Sequence, residues 1–280
     1  MPATTLIDSR DGVAVAVHDF GGPGRPTTFV AGTGLCAGMW EPIVARLPAD
    51  RYRCLTIDLR GHGASTTPDD VTFTDDDLVA DLTAVAEAFD LRDAWGVGHS
   101  MGGGTTLLVA ADRPAAYTRT WVFEPIIFPR EGTSAGLAAM VEATRRRRPR
   151  FASRQEALDR YRSRPPLNVL HPEVLDAYVR HGLVDEPDGT VRLACAPEQE
   201  ARLFEQYLRA GFFRLGDVRA DTVVAYGTAT AEPSGAWAPE IARALPNGTA
   251  QAWEGYDHFG CFADLDRVVA SLNGFFLNGA

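Results

Sequence analysis

The pattern of apolar and polar positions divides this chain into three parts. At the start, Thr5 to Asp8 and Val13 to Asp19 read as extended runs, and Asp11-Gly12 between them reads as a hairpin turn. After a Gly/Pro cluster (Gly21 to Pro26) comes a short apolar strand, Thr28 to Ala31, ending in the glycine-rich stretch Gly32 to Gly38. Trp40 to Leu47 looks helical and stops before Pro48, and Tyr52 to Ile57 is the next strand. From Asp75 to Phe89 the residues Leu78, Leu82, Val85 and Phe89 recur at spacings of four, three and four, which places them on one helical face. Thr74 is the expected N-cap, and Asp75 to Asp77 suit the positive end of the helix dipole. A strand over Ala94 to Gly98, a helix over Gly102 to Ala111 and a strand over Thr120 to Phe123 complete this part.

Between about Arg130 and Phe213 the pattern is helical, with almost no strand-like runs. The helices expected are Gly136 to Arg148, Glu156 to Arg162 (Ser153 and Glu156 having capping-box spacing), Glu173 to His181 and Pro197 to Arg209. Strands return at Thr222 to Tyr226 and Ala250 to Trp253, and an amphipathic helix from Asp264 to Phe276 closes the chain. Strand-helix alternation at this spacing argues for an α/β class, a mostly parallel sheet with helices on both faces. The expected division is a core of 1–129 and 214–280 with a helical cap of 130–213 inserted after the sixth strand.

Composition narrows the field. At 280 residues, 45% apolar and 23% charged, the chain can bury a full core, and no apolar run is long enough for a membrane span. A net charge of −10 disfavours nucleic acid and anionic membrane surfaces as partners. Cys36, Cys54, Cys195 and Cys261 form no CxxC pair, so neither a zinc site nor a disulfide framework is expected, and no metal or organic cofactor is implied. With no basic-then-apolar leader in the first residues, a cytoplasmic protein with free thiols is the expectation; monomer and homodimer stay equally open.

The chemistry enters at Gly98-His99-Ser100-Met101-Gly102, a G-x-S-x-G string set between an expected strand and an expected helix. In that context the chain must reverse within two residues, which exposes the serine hydroxyl above the sheet and aims a helix N-terminus at it. The string lacks both G-x-G-x-x-G and the P-loop Lys, so a nucleotide-binding turn is disfavoured.

The order of these signals resembles the α/β-hydrolase fold with a helical lid, over essentially the whole chain. The resemblance implies an eight-stranded, mostly parallel sheet and Ser100 as nucleophile. It implies an oxyanion hole from the backbone N–H groups of Thr33 and Met101, although Ala31 replaces the His usual at the start of that loop. Of six histidines, His258, between the last strand and the last helix, stands where the family carries its base. The acid departs from the common pattern. The position three after Gly227 holds Thr230, and Thr228 to Ala231 contains no carboxylate. Glu124, at the end of the sixth strand, is similar in placement to the acid of zearalenone lactonases and some haloalkane dehalogenases; Glu232 is the alternative.

A serine nucleophile, in place of the aspartate of dehalogenases and epoxide hydrolases, directs the chemistry to acyl transfer, with a small, largely apolar ester or lactone as substrate. Carbon–carbon bond hydrolysis and cofactor-free perhydrolase or haloperoxidase chemistry use the same triad. A member of the fold that binds a small ligand without turnover is a further alternative. Leu137, Phe151, Tyr161, Tyr178, Leu203, Tyr207 and Phe213 supply apolar surface in the inserted segment, either to a pocket or to its own packing. The basic run Arg145 to Arg148 with Arg150 reads as a solvated helix.

Overall fold

Eleven strands and ten α-helices are seen among residues 2–128, 136–206, 211–230 and 233–278, which the computed structural model describes. The strands are β1 (Ala3–Asp8), β2 (Ala14–Asp19), β3 (Arg25–Val30), β4 (Tyr52–Asp58), β5 (Ala94–His99), β6 (Tyr117–Phe123), β7 (Arg150–Phe151), β8 (Leu183–Asp185), β9 (Val191–Leu193), β10 (Asp221–Gly227) and β11 (Gly248–Trp253). The helices are α1 (Glu41–Val44), α2 (Asp75–Ala88), α3 (Met101–Asp112), α4 (Leu137–Arg145), α5 (Arg154–Arg162), α6 (Pro172–His181), α7 (Pro197–Gln206), α8 (Pro233–Ala244), α9 (Gly260–Ala263) and α10 (Leu265–Asn278).

Eight strands make one sheet in the order β1-β2-β4-β3-β5-β6-β10-β11. Pairing is parallel from β4 to β11 and antiparallel between β1 and β2 and between β2 and β4. The order reverses at β3: β4 lies on one side of it and β5 on the other. Ligands of open α/β sheets gather beyond the carboxyl ends of strands at such a reversal, here the ends of β3 and β5.

Residue alternation distributes the core over both faces. In β4, Leu55 and Ile57 join one buried cluster with Leu78, Leu82 and Val85 of α2, while Tyr52 and Cys54 join the other with Val268, Leu272 and Phe276 of α10. In β6, Val122 faces the first cluster and Trp121 and Phe123 the second. Trp40, Trp121 and Trp253 are fully buried in this second layer, and each ring contributes a large apolar area to it. At the start of α2 the Thr74 hydroxyl accepts from Asp77 N–H and Asp77 returns the bond to Thr74 N–H, so the expected cap is a full capping box.

The segment between β6 and β10 holds α4 to α7, and also a three-stranded antiparallel sheet in the order β7-β9-β8. The expectation of an almost strand-free insertion is therefore corrected. These strands have only two or three residues each, too few for alternation to register, and a turn from Glu186 to Thr190 joins β8 to β9. The expected boundary at 130 lies outside the described residues, as does Tyr207. Leu137, Phe151, Tyr178 and Leu203 are buried in packing, whereas Phe213 is 79% exposed. The insertion docks on the core through Arg46 to Glu173 at 2.7 and 2.9 Å, His171 N–H to Phe262 O at 2.9 Å, and Phe73 N–H to the Gln206 amide oxygen at 2.7 Å.

The basic run is absorbed by ion pairs. Arg145 contacts Glu142, Glu198 and Glu205, Arg148 pairs with Glu156 and Arg150 with Glu186. Arg147 turns inward, against Glu200. Among the described residues no helix is long and apolar enough to cross a membrane.

Candidate active site

Ser100 sits between β5 and α3 with φ 55° and ψ −123°, a conformation in the left-handed half of the map that a residue with a side chain rarely adopts. A Cβ on Gly98 would collide with the Gly103 Cα, and one on Gly102 with the Val30 carbonyl, so the two flanking glycines let strand, turn and helix pack this tightly. Ser100 N–H donates to Phe123 O at 2.9 Å and Ser100 O accepts from Ile126 N–H at 3.0 Å. These two bonds bracket Glu124 and tie the turn to the end of β6.

Glu124 also has positive φ, 43°. Its N–H donates to Ala225 O at 2.9 Å, which swings the fully buried side chain toward the end of β10. There Oε1 accepts from Gly227 N–H at 2.9 Å and from the Thr230 hydroxyl at 2.5 Å. Oε2 lies 2.7 Å from His258 Nδ1. Burial alone would raise the Glu124 pKa, but the bonds from His258, Thr230 and Gly227 outweigh it and hold the carboxyl below its usual range. A carboxylate only accepts, so the imidazole carries its proton on Nδ1 and keeps Nε2 as the basic nitrogen.

The loop carrying His258 is fastened to the residue next to Ser100. His99 Nε2–H donates to His258 O at 2.8 Å, and the two imidazole centroids are 4.7 Å apart. On the other side, the turn Gly32 to Leu35 is closed by Leu35 N–H to Gly32 O at 3.2 Å. The Thr33 hydroxyl donates to Met101 Sδ at 3.3 Å. Met101 opens α3, at the end of a helix where backbone N–H groups and the dipole favour negative charge.

The structure thus joins Glu124 and His258 directly and gathers Ser100, Thr33 and Met101 at the ends of β3 and β5. Glu232, the alternative acid, lies outside the described residues. His62 is structural: its Nδ1–H donates to Arg60 O at 2.9 Å and its Nε2 accepts from Gly34 N–H at 3.0 Å. Two contributors were not read from sequence, Thr230 as a donor to Glu124 and His99 as the tie to the His258 loop. The missing carboxylate at 230 was the available signal for the first. Among the described residues no group of three or more His, Cys, Asp or Glu is placed to hold a metal ion.

His62 and His99 are both buried, and burial holds their pKa below the ordinary histidine value, for His99 far below. Unfolded, each takes up a proton near pH 6.5; folded, each does so only at lower pH. The stability they give is complete well above about pH 6.5 and declines as pH falls through it, until each folded histidine is itself protonated. Urea unfolding followed from pH 7 to pH 5.5 is expected to show this decline, and His99→Asn should make it shallower by one proton's worth. An unchanged slope in the variant would contradict the assignment.

A family profile described as alpha/beta hydrolase fold matches residues 21–119. The chain is 28% identical to the putative non-heme bromoperoxidase BpoC of Mycobacterium tuberculosis over 92% of this chain and 96% of that one. Higher identities are local. The match to the non-heme chloroperoxidase CPO-A1 of Kitasatospora aureofaciens is 41%, over 37% of this chain and about a third (36%) of that protein. That to 3-oxoadipate enol-lactonase 1 of Acinetobacter baylyi is 33%, over 40% and 41%. Among solved structures, E-2-(acetamidomethylene)succinate hydrolase superposes with a TM-score of 0.82 at 20% identity, covering 98% of this chain and 99% of that one.

Proposed function

We propose that this chain, which has the α/β-hydrolase fold, is a serine hydrolase that cleaves a carboxylic ester or lactone of a small, largely apolar molecule through an acyl-enzyme. Ser100 Oγ attacks the carbonyl carbon while His258 Nε2 takes its proton. The backbone N–H groups of Thr33 and Met101 hold the oxyanion, each worth roughly 3–4 kcal/mol of transition-state stabilisation. His258 then passes the proton to the leaving alkoxide, and a water activated by the same nitrogen releases the acid. Glu124 fixes the imidazole's tautomer and stabilises its cation. The inserted segment 130–213 acts as a cap over the site and supplies the substrate's surroundings.

The observation that carries this reading is the 2.7 Å bond between His258 Nδ1 and a buried, ionised Glu124. A buried carboxylate held ionised by three donors and aimed at one nitrogen of a half-buried histidine fixes the tautomer that a catalytic base needs. Ser100, in its strained turn, is tied by its backbone to the residues on either side of Glu124, through Phe123 O and Ile126 N–H. Hydrolysis of p-nitrophenyl esters of graded chain length, with a panel of lactones, tests the class. Turnover that disappears with Ser100→Ala supports it, and absence of turnover on every substrate counts against it.

One observation favours a second reading on the same residues. The similarity to a non-heme bromoperoxidase extends over nearly the whole chain. There, hydrogen peroxide would replace water in attacking an acyl-enzyme formed from acetate, releasing peracetic acid, which oxidises bromide. Peroxide-dependent bromination of a phenol dye that requires acetate is the readout that separates the two.

Thr230→Val keeps the shape but removes the 2.5 Å bond to Glu124. With Gly227 N–H still bonded, the carboxylate stays in place but titrates higher. The expected result is a loss of about threefold to tenfold in kcat at neutral pH, from one hydrogen bond to a charged group. A kcat identical to wild type would dismiss a role for Thr230.

A further inference from the structure

The turn Gly32 to Leu35 is gripped from the inserted segment as well as from the core. Gly34 has φ +76°, the left-handed conformation that the third position of a type II turn requires. Its N–H is taken by the core, through His62 Nε2 at 3.0 Å. Its C=O accepts from the Tyr178 hydroxyl of α6 at 3.3 Å. Its Cα lies flat against the Glu200 carboxyl of α7, so closely that a Cβ there would stand 2.5 Å from Oε1. Glu200 is itself buried and paired with Arg147, which stands beside the hydroxyls of Tyr161 and Tyr178. At the other end of the same turn, Gly32 packs directly on the Ser100 Cβ and the His99 ring. A four-residue turn is therefore wedged between the serine and a buried polar cluster of the insertion. Thr33 lies between its two glycines.

We infer that Tyr178, backed by Arg147 and Glu200, is a positioning residue for the oxyanion donor: docking of the insertion on Gly34 sets the direction of the Thr33 N–H. The inference rests on the hydrolase reading above. Its physical basis is that both hydrogen-bonding groups of the Gly34 peptide backbone are committed, one to each side of the molecule. With one released, glycine's freedom lets the turn rock, and a donor even slightly misaimed loses much of its strength toward a developing negative charge. Seating of the insertion would then be coupled to turnover through this turn, without any contact between Tyr178 and substrate.

Tyr178→Phe removes the hydroxyl and keeps the ring. On p-nitrophenyl acetate it is expected to lower kcat about threefold to tenfold while KM stays within twofold. The inhibition constant of phenylboronic acid, which forms a tetrahedral adduct on the serine, should rise by the same factor, and the pH–rate profile should keep its shape. A side chain that merely stabilised the fold would lower the melting temperature without this matched change. Should the phenylalanine variant not fold, Glu200→Gln, which removes the charge but keeps the shape, is expected to give the same pattern. Wild-type-like kcat and boronate binding in a folded variant would overturn the inference alone. Absence of ester turnover and of boronate binding in the wild-type protein would overturn the hydrolase reading and this inference with it.

Discussion

Ser100→Ala is expected to lower kcat for an activated ester by about 10⁵- to 10⁶-fold while the protein stays folded, as when the nucleophile of a triad is removed as part of a unit. The magnitude follows from what remains. Without the hydroxyl no acyl-enzyme forms, and His258 has nothing to deprotonate but water. The donors at Thr33 and Met101 and the surrounding pocket still act, so the residual rate should exceed that in buffer. The strained φ of 55° belongs to the turn and suits alanine no better than serine, so thermal stability should change little. Active-site titration excludes contamination by wild-type enzyme. A variant keeping more than a tenth of the activity would place the nucleophile elsewhere.

Glu124→Gln is expected to cost about 10³- to 10⁴-fold in kcat. Glutamine is close in volume, and its carbonyl oxygen can still accept from Gly227 N–H and Thr230. Its NH2 then faces His258 Nδ1, which must turn acceptor, and the imidazole proton moves to Nε2, where a base is needed. The variant should therefore melt near the wild-type temperature yet be nearly inactive. In wild type, Glu124 is held below the usual carboxylate range, so its own protonation should limit the rate only well into acid. Glu232→Gln is expected to leave kcat within about twofold, because Glu124 already holds the place beside His258 Nδ1. Reversal of the two results would transfer the acid to Glu232.

Much of the fold was legible because its signals are local. The helix from Asp75 carried both its apolar face and its cap in sequence, and the strand-turn-helix around Ser100 was marked by glycines whose close packing the structure explains. The parts that stayed hidden depend on contacts between distant residues. Strands β7 to β9 are too short to carry a period and exist because they pair with one another. Arg147 reads like its neighbours in a basic run, yet it turns inward to Glu200, 53 residues away, and to the hydroxyls of Tyr161 and Tyr178. Thr230 could be seen to lack a carboxylate. That its hydroxyl bonds the acid of another strand, 106 residues distant, could not be read from spacing.

Intact-mass and peptide-mapping mass spectrometry after brief treatment with a fluorophosphonate tests the central claim most directly. The account requires stoichiometric phosphonylation of a single peptide, with the adduct on Ser100, rapid in wild type and slowed by orders of magnitude in His258→Ala. An unmodified Ser100, an adduct on another serine, or labelling as fast without His258 as with it would contradict the claim that these two residues act together.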